Sequence, residues 1–588
     1  MWAGPRSRAE LLAAAASLER WACYAVEDAT GDFAGLTDIV ANAAVPERLQ
    51  AGQPGSNQCT MPDAETAAPL LQPGTRRTYQ TVMVAVTIIV RATIVALEES
   101  VVGKPGQLFD RETEWAEVTE FATSDELGAT LGLVYGRRRQ GKTLLLELLA
   151  LELGGFMFAA TQQSEAQSLA DLGAAYAAYR GLRQPVVFTG YREAIDEMLL
   201  LGADRPTAVI IDEFPYLVAA TPALPSYLQQ ALSPMGNARQ RTRTRMVLCG
   251  SALTTMAQLL GGGAPLRGRA RLELVVRPFG FREAAEFWDV AHDPELAFRL
   301  HALTGGTPAY KDMCGGAGPR SLADFGTWVQ RRLLNPASAM FREGGLLLRE
   351  EPSITDPTSY SATLGAISAG ACRRSEIAAA LGRPASAIAH LLDGLEDVGL
   401  IEQLDDALRG KRAVFRIAEP IVRLHQLITA RYEPELVAGR ANRVWERSAA
   451  TVSAKILGPH FEELARQWCM HYADEQTLGG VPGAVRPTEI ACREHQGGHE
   501  LDLVVTEAPS GKSLILAIGE AKETNAAVGQ AQLRRLEHLR GLLPSARVDL
   551  PPKLLLFSRS GFTPGLIEEA DARPDVELVT LERVYRGS

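Results

Sequence analysis

The eight residues Gly136-Arg137-Arg138-Arg139-Gln140-Gly141-Lys142-Thr143 follow an apolar run, Leu131 to Tyr135, and open a leucine-rich segment, Leu144 to Leu153. This is G-x-x-x-x-G-K-[ST] in the setting that gives it meaning: strand, loop, helix. Such a loop turns successive backbone N–H groups inward, and the helix that starts at its end adds positive potential. The geometry needs a buried strand before it and a helix after it, so the chain is committed to an α/β fold. Lys142 is placed to reach the β- and γ-phosphates of a nucleotide, and the Thr143 hydroxyl to hold Mg²⁺. The motif therefore predicts ATP and Mg²⁺ as ligands, with Gly136, Arg137, Arg138, Arg139, Gln140, Gly141, Lys142 and Thr143 around the phosphates.

A second signal lies at Ala208-Val209-Ile210-Ile211-Asp212-Glu213-Phe214. A continuous β-branched run reads as a buried parallel strand, and this one ends in two carboxylates. Asp212 suits Mg²⁺ binding through water, and Glu213 suits polarisation of an attacking water, so hydrolysis is expected. Phe156–Ala159 and Met246–Ser251 read as further strands. Ser168–Tyr179 and Arg192–Leu201 read as helices, and Pro185–Phe188 is an apolar run of uncertain role. The alternation predicts a doubly wound parallel sheet with its site at the strands' carboxyl ends.

The chain has 588 residues, which suggests about four domains. Its net charge of −10 argues against wholesale coating of nucleic acid and leaves a local basic patch open. Seven cysteines (Cys23, Cys59, Cys249, Cys314, Cys372, Cys469, Cys492) occur singly with no C-x-x-C. They read as reduced thiols of a cytoplasmic protein, not as a disulfide or zinc framework. Glu10 and Glu19 flank the alanine-rich start, which argues against a signal peptide. The run Val82–Val90 is broken by Arg91 and falls short of the ~20 residues that span a bilayer, so no membrane is expected. Residues 1–100, with a Pro- and Gly-rich linker over 52–80, are expected to be an N-terminal extension, in part disordered.

Several pieces together resemble the archaeal-type ATPase family of the AAA+ superfamily. They are Tyr135 to Thr143, Ile211 to Tyr216, Cys249-Gly250-Ser251, Pro265 to Arg269, Arg277 to Ala284 and Thr304 to Tyr310. The resemblance covers about residues 101–350. It implies a P-loop ATPase core over 101–290 and a helical lid over 291–350. It also implies a polar sensor at Ser251 near the γ-phosphate, and an arginine finger at Arg267 or Arg269. In this superfamily a neighbouring subunit often delivers that arginine, which would make the protein a homo-oligomer. Arg239, Arg241, Arg243 and Arg245 could track phosphates; a wet, charged approach to the next strand is the favoured reading.

Between residues 351 and 440 the pattern is that of a winged helix-turn-helix. Helices are expected over Tyr360–Ala369, Arg374–Gly382 and Ser386–Val398, with a wing from Gly399–Glu402 and a return strand Val414–Ile417. The third helix carries Asp393, Glu396 and Asp397, which phosphate would repel. Arg409, Lys411 and Arg412 at the wing tip are better placed for DNA backbone, and DNA binding is left open. Residues 455–588 begin with a helix, Gly458–Ala465, followed by strands Glu500–Val505 and Leu514–Lys522. Asp502, Glu520 and Lys522 converging at a sheet edge form an Mg²⁺ phosphodiesterase arrangement: carboxylates fix the cation and the lysine steadies a water. With Glu463 on the leading helix and Gln532 as an accessory, this resembles the PD-(D/E)xK nuclease superfamily, although no proline precedes Asp502. A cutting domain, an inert DNA-binding relic and an unrelated sheet are the three alternatives. The expected function is ATP hydrolysis coupled to a nucleic-acid-binding or nuclease-like C-terminal domain. The alternative is a regulatory NTPase switch acting through protein–protein contacts.

Overall fold

Parallel strands covered on both faces must be apolar throughout, and five segments meet that demand to different degrees. In the computed structural model, which describes residues 102–588 apart from 260, 262, 263, 352, 411 and 508–512, they form one sheet. Strands β1 (Thr130–Tyr135), β2 (Phe156–Ala159), β3 (Thr207–Asp212), β4 (Thr244–Gly250) and β5 (Ala270–Val275) pair in parallel in the order β2-β3-β4-β1-β5. Helices α1 (Glu112–Thr123), α2 (Lys142–Leu153), α3 (Glu165–Tyr179) and α4 (Tyr191–Leu200) cover it. The central strands are fully buried at Leu131, Leu133, Val209, Ile210 and Val247. The register Tyr135↔Gly250 brings the ends of β1 and β4 side by side.

Two segments that the sequence left unassigned are settled by the fold. Pro185–Phe188 forms no strand: Val187 is exposed, and the Val186 amide donates to Gly173 O at 3.2 Å. In contrast, β5 escaped the reading because it is an edge strand with exposed Arg271 and Glu273, so its apolar signal is weak. The arginine row before β4 is not a solvated stripe throughout. Arg245 is fully buried and donates to Ser124 O, Gly128 O and Glu126 O, closing the loop between α1 and β1.

Beyond the sheet come α5 (Pro294–Thr304), α6 (Ala309–Met313), α7 (Leu322–Arg332) and α8 (Met340–Arg349). Three helices then precede a hairpin: α9 (Pro357–Ser368), α10 (Arg374–Ala380), α11 (Ala389–Asp397), β6 (Ile401–Leu404) and β7 (Val414–Ile417), the two strands antiparallel. The C-terminal part is a mixed five-stranded sheet reached through α12 (Gly458–His471). Its strands β8 (Pro482–Cys492), β9 (Gly497–Glu507) and β10 (Ile515–Lys522) run antiparallel. Helix α13 (Gln530–Gly541) leads to β11 (Lys553–Ser558), and α14 (Pro564–Asp571) to β12 (Val576–Thr580); both strands continue the sheet in parallel. A last helix, α15 (Leu581–Arg586), follows.

Period-two alternation decides which face packs where. Val504, Ile518, Leu554 and Leu556 meet Leu533, Leu536 and Leu566 of α13 and α14. Leu503, Ala517, Leu555 and Phe557 point the other way, onto Phe461, Leu464 and Trp468 of α12. That second face belongs to a core that continues through Leu391 and Leu395 of α11 to Phe298 and Leu303 of α5. No helix among the described residues is long and apolar enough to cross a membrane. The extension expected over 1–100, the run Val82–Val90 and Lys411 lie outside the described residues.

Candidate functional site

The loop between β1 and α2 is shaped by its backbone. Arg139 and Gly141 are left-handed at φ 68° and 86°, the alternation that makes successive amides converge on an anion. A Cβ on Gly136 would lie 2.2 Å from Val276 O, so only glycine fits where the loop leaves the sheet. Lys142, at the start of α2, donates from Nζ to Gly136 O and Arg137 O, 2.8 Å each. Burial holds its ammonium below the usual lysine pKa, against the pull of the nearby Glu213 and Asp212 charges. Thr143 Oγ1 donates to Asp212 Oδ2 at 2.7 Å, while Asp212 Oδ1 accepts the Glu213 amide at 2.9 Å. The hydroxyl and carboxylate oxygens suit a hard cation such as Mg²⁺.

Glu213 carries strain. Its φ is 50°, a left-handed conformation that costs a non-glycine residue about 1–3 kcal/mol and collects at functional sites. Ser251, just past the end of β4, holds the carboxylate, with Oγ 3.0 Å from both Oε1 and Oε2. Sheet register therefore joins Lys142, Thr143, Asp212, Glu213 and Ser251 at one edge. They adjoin a cleft of about 790 Å³ lined by Lys142, Thr143, Glu213 and Ser251. Its far wall holds residues the sequence reading passed over. Phe109, Phe279 and Phe287 pack with ring centroids 5.2–5.4 Å apart. Arg111 lies 4.6 Å over the Phe279 ring, and Lys311 of α6 lies 5.0 Å over Phe287. The signal was in the phenylalanines flanking the motifs, but a wall of mutually tilted rings brought together by the fold has no linear pattern.

The loop's three arginines reach other elements, and Arg138 and Arg139 line the cleft as well. Arg137 pairs with the buried Glu419 and donates to Gly399 O at 3.1 Å, touching both ends of the helix–hairpin module's wing. Arg139 pairs with Glu343 at 3.0 Å and Glu350 at 3.3 Å, and Arg138 donates to Tyr216 Oη at 3.1 Å. Removing one partner of a buried pair strands the other charge. Arg137→Ala is therefore expected to cost about 3–5 kcal/mol in urea unfolding, with much of the loss recovered when Glu419→Gln is added. Equal stability of Arg137→Ala and wild type would contradict this coupling. Arg267 is exposed, and Arg269 donates to Leu232 O at 3.4 Å; neither lines the cleft of its own chain.

The C-terminal sheet gathers a second cluster. Asp502 on β9 accepts the Ala521 amide of β10 at 2.8 Å. Glu520 is almost fully buried; its Oε1 pairs with Lys522 and with Arg535 of α13, and its Oε2 makes no hydrogen bond. Two expectations need correction. Glu463 does not face this cluster: it pairs with Arg416 of β7 and with Arg466 at 3.3 Å. The α12 carboxylate that interacts with Asp502 is Glu462, pushed up to about 7 by burial first and by Asp502 next. Burial likewise raises Asp502. Gln532 caps its own helix, accepting the Gly529 amide at 3.2 Å; Arg535, one turn on, reaches Glu520 instead. Carboxylate oxygens and an unpartnered Oε2 form a donor set that fits a hard divalent cation.

The tip of the β6–β7 hairpin is engaged within the chain. Asp406 accepts Thr488 Oγ1 of β8 at 2.7 Å, the Ala407 amide donates to Pro487 O at 3.0 Å, and Arg547 Nη1 donates to Ala407 O at 2.6 Å. On α11, Asp393, Glu396 and Asp397 are exposed.

Sheet order, loop and paired carboxylates define a phosphate-loop nucleotide-binding domain. Residues 108–310 match the family described as ATPase domains predominantly from Archaea. Over 317 residues the chain is 24% identical to an uncharacterised protein of Methanocaldococcus jannaschii, covering 53% of this chain and 66% of that one, a little under two thirds. Among solved structures it is similar to the Walker-type ATPase of Pyrococcus abyssi, at 21% identity over 55% of this chain and 97% of that one, with a TM-score of 0.43. It is also similar to the ORC2 protein of Aeropyrum pernix in its ADPNP–ADP complexes, at 13% identity over 59% and 97%, with a TM-score of 0.35.

Proposed function

We propose that this chain is an Mg²⁺-dependent ATPase whose nucleotide state is passed to the winged helix and to a C-terminal nucleic-acid-binding or nuclease-like domain. The observation that carries the reading is Lys142, a buried ammonium that donates to two of its own loop's carbonyls and lies beside the carboxylates of the Thr143–Asp212 and Ser251–Glu213 pairs. A triphosphate offers that ammonium stronger partners than neutral carbonyls do. Thr143 and Asp212 would hold the cation, which when bound offsets phosphate charge. Glu213, oriented by Ser251, accepts a proton from water. Phe109, Phe279 and Phe287 take the base. Arg267 or Arg269 serves a neighbouring copy in a homo-oligomer, since neither lines its own cleft. Any shift of the loop on phosphate binding pulls on Arg137 and Arg139, hence on Glu419 and Glu343.

In the C-terminal domain, Asp502 and Glu520, with Glu462 beside them, would hold a second Mg²⁺, and Lys522 steadies the attacking water on a DNA phosphodiester. A second reading has support of its own. Lys522 and Arg535 both neutralise Glu520, and the wing is docked on β8, as in a switch whose C-terminal domain is inert and acts through protein contacts. ATP turnover and DNA cleavage measured side by side, with and without Mg²⁺, separate the two. The nuclease reading expects Asp502→Ala to lower cleavage about 100-fold or more while ATP turnover is retained. Absence of both cleavage and DNA-stimulated turnover in the wild type overturns it in favour of the switch.

A further inference from the structure

Cysteine spacing points away from a metal, yet the fold gathers one thiol and three imidazoles at the far end of the C-terminal sheet. Cys492 ends β8, His495 lies in the turn, His499 is on β9, and His538 comes from α13. One ligand atom from each lies within 4.8 Å of all the others. Cys492 Sγ is 3.2 Å from His495 Nδ1 and 3.4 Å from His538 Nε2, and His495 Nδ1 is 3.2 Å from His499 Nε2. With Zn–S near 2.3 Å and Zn–N near 2.05 Å, a tetrahedron has edges of about 3.6 Å and about 3.3 Å. These three separations are close to those edges, and the remaining pairs stay within 4.8 Å. The spacing Cys-x₂-His-x₃-His followed by a distant histidine is the signal in the sequence, hidden because only cysteine pairs were sought.

We infer that Cys492, His495, His499 and His538 form a structural zinc site. One borderline-soft thiolate and three imidazoles suit Zn²⁺, and four protein donors leave no open position for substrate. Glu494 Oε2 lies 3.9 Å from His538 Nδ1, the ring nitrogen other than the one that meets Cys492, which places a carboxylate near that ligand without a hydrogen bond to it. The turn gains most. Residues 493–498 are exposed and bury no apolar side chain, so little else fastens this end of the hairpin to α13. The ion would therefore fix α13 relative to β9. Arg535, one turn before His538, reaches Glu520 and donates to Glu500 O at 3.1 Å, and Asp502 lies three residues past His499. The zinc site thus sets the frame in which Asp502, Glu520 and Arg535 meet, without belonging to that cluster.

The test uses the full chain, free of any affinity tag and purified without added metal. Elemental analysis is expected to find about one zinc per chain. After chelator stripping, titration with Co²⁺ is expected to give the intense visible bands of tetrahedral cobalt together with a thiolate-to-cobalt charge-transfer band. An octahedral ion at the nucleotide cleft gives neither. Cys492→Ser is expected to lose the charge-transfer band, and Cys492→Ser with His499→Asn to lose stoichiometric binding, with the far-ultraviolet dichroism of the ATPase part retained. Should these variants fail to fold, a mercurial thiol reagent on the native chain is expected to release the zinc to a chromophoric chelator. No zinc above buffer together with no saturable Co²⁺ binding overturns the inference. So does undiminished binding in the double variant, or copper or iron in stoichiometric amount in zinc's place.

Discussion

Lys142→Ala is expected to remove ATP binding from a chain that remains folded. The ammonium is buried and, among the described residues, donates to Gly136 O and Arg137 O. In the apo state its loss frees two carbonyls, a modest cost because neutral acceptors near a loop surface can turn to water. With a triphosphate present, the same loss leaves phosphate oxygens in a low-dielectric cleft without their cation. Stranding a buried charge costs roughly 3–5 kcal/mol, and each 1.4 kcal/mol is tenfold in affinity. The expected drop is thus about 100- to 3,000-fold, read in equilibrium dialysis with labelled ATP as no saturation at the concentrations that saturate wild type. Lys142→Arg is no rescue, because a guanidinium does not fit between two carbonyls 2.8 Å from a single ammonium nitrogen. An unchanged Kd for Lys142→Ala would sink the assignment of this cleft.

Glu213→Gln separates binding from chemistry. The amide keeps the size of the carboxylate and still meets Ser251 Oγ, now 3.0 Å from both carboxylate oxygens. It cannot accept a proton from water. Losing a positioned general base lowers a rate by about 10²- to 10⁴-fold. Single-turnover hydrolysis is expected to fall by that factor while the ATP dissociation constant stays close to wild type. The left-handed backbone at residue 213 tolerates glutamine as poorly as glutamate, so the strain is common to both proteins and drops out of the comparison. Turnover equal to wild type would remove Glu213 from the chemistry and leave Asp212 as the only acidic group with a role there.

How much of this could be read beforehand depended on whether a feature is linear. The phosphate loop, β3 with its two carboxylates and the strand ending at Gly250 are each contiguous, and their apolar runs identify them because both sheet faces are covered. The three helices and hairpin over Pro357–Ile417 were legible for the same reason, through 3.6-residue spacing and Gly399 at the helix end. What escaped was assembled across distance. The aromatic wall needs Phe109, Phe279 and Phe287 brought together by the fold. The choice between Glu462 and Glu463 turns on about 100° of helix rotation, and only the packing of α12 against the sheet and of Arg416 against its side fixes it. Arg245 looked like one of a solvated row; only the fold reveals the carbonyls around it.

The loop arginines carry the account beyond nucleotide binding. Besides the loop's amides, lysine and hydroxyl, its three arginine side chains reach Glu419, Glu350 and Glu343, and Arg138 and Arg139 line the cleft as they do so. They tie the loop to α8 and to the residues flanking the wing, which in turn docks on β8 through Asp406 and Thr488. A path of contacts therefore runs from the phosphate loop through the β6–β7 hairpin to the C-terminal sheet.

All of this rests on the cleft at the carboxyl ends of β1, β3 and β4 accepting magnesium-loaded ATP. Isothermal titration of the wild-type chain with ATP, in excess Mg²⁺ and again in excess chelator, tests that most directly. The account predicts saturable heat at about one site per chain with Mg²⁺, weakened when the cation is removed. A flat titration of folded protein in the presence of Mg²⁺ would contradict it.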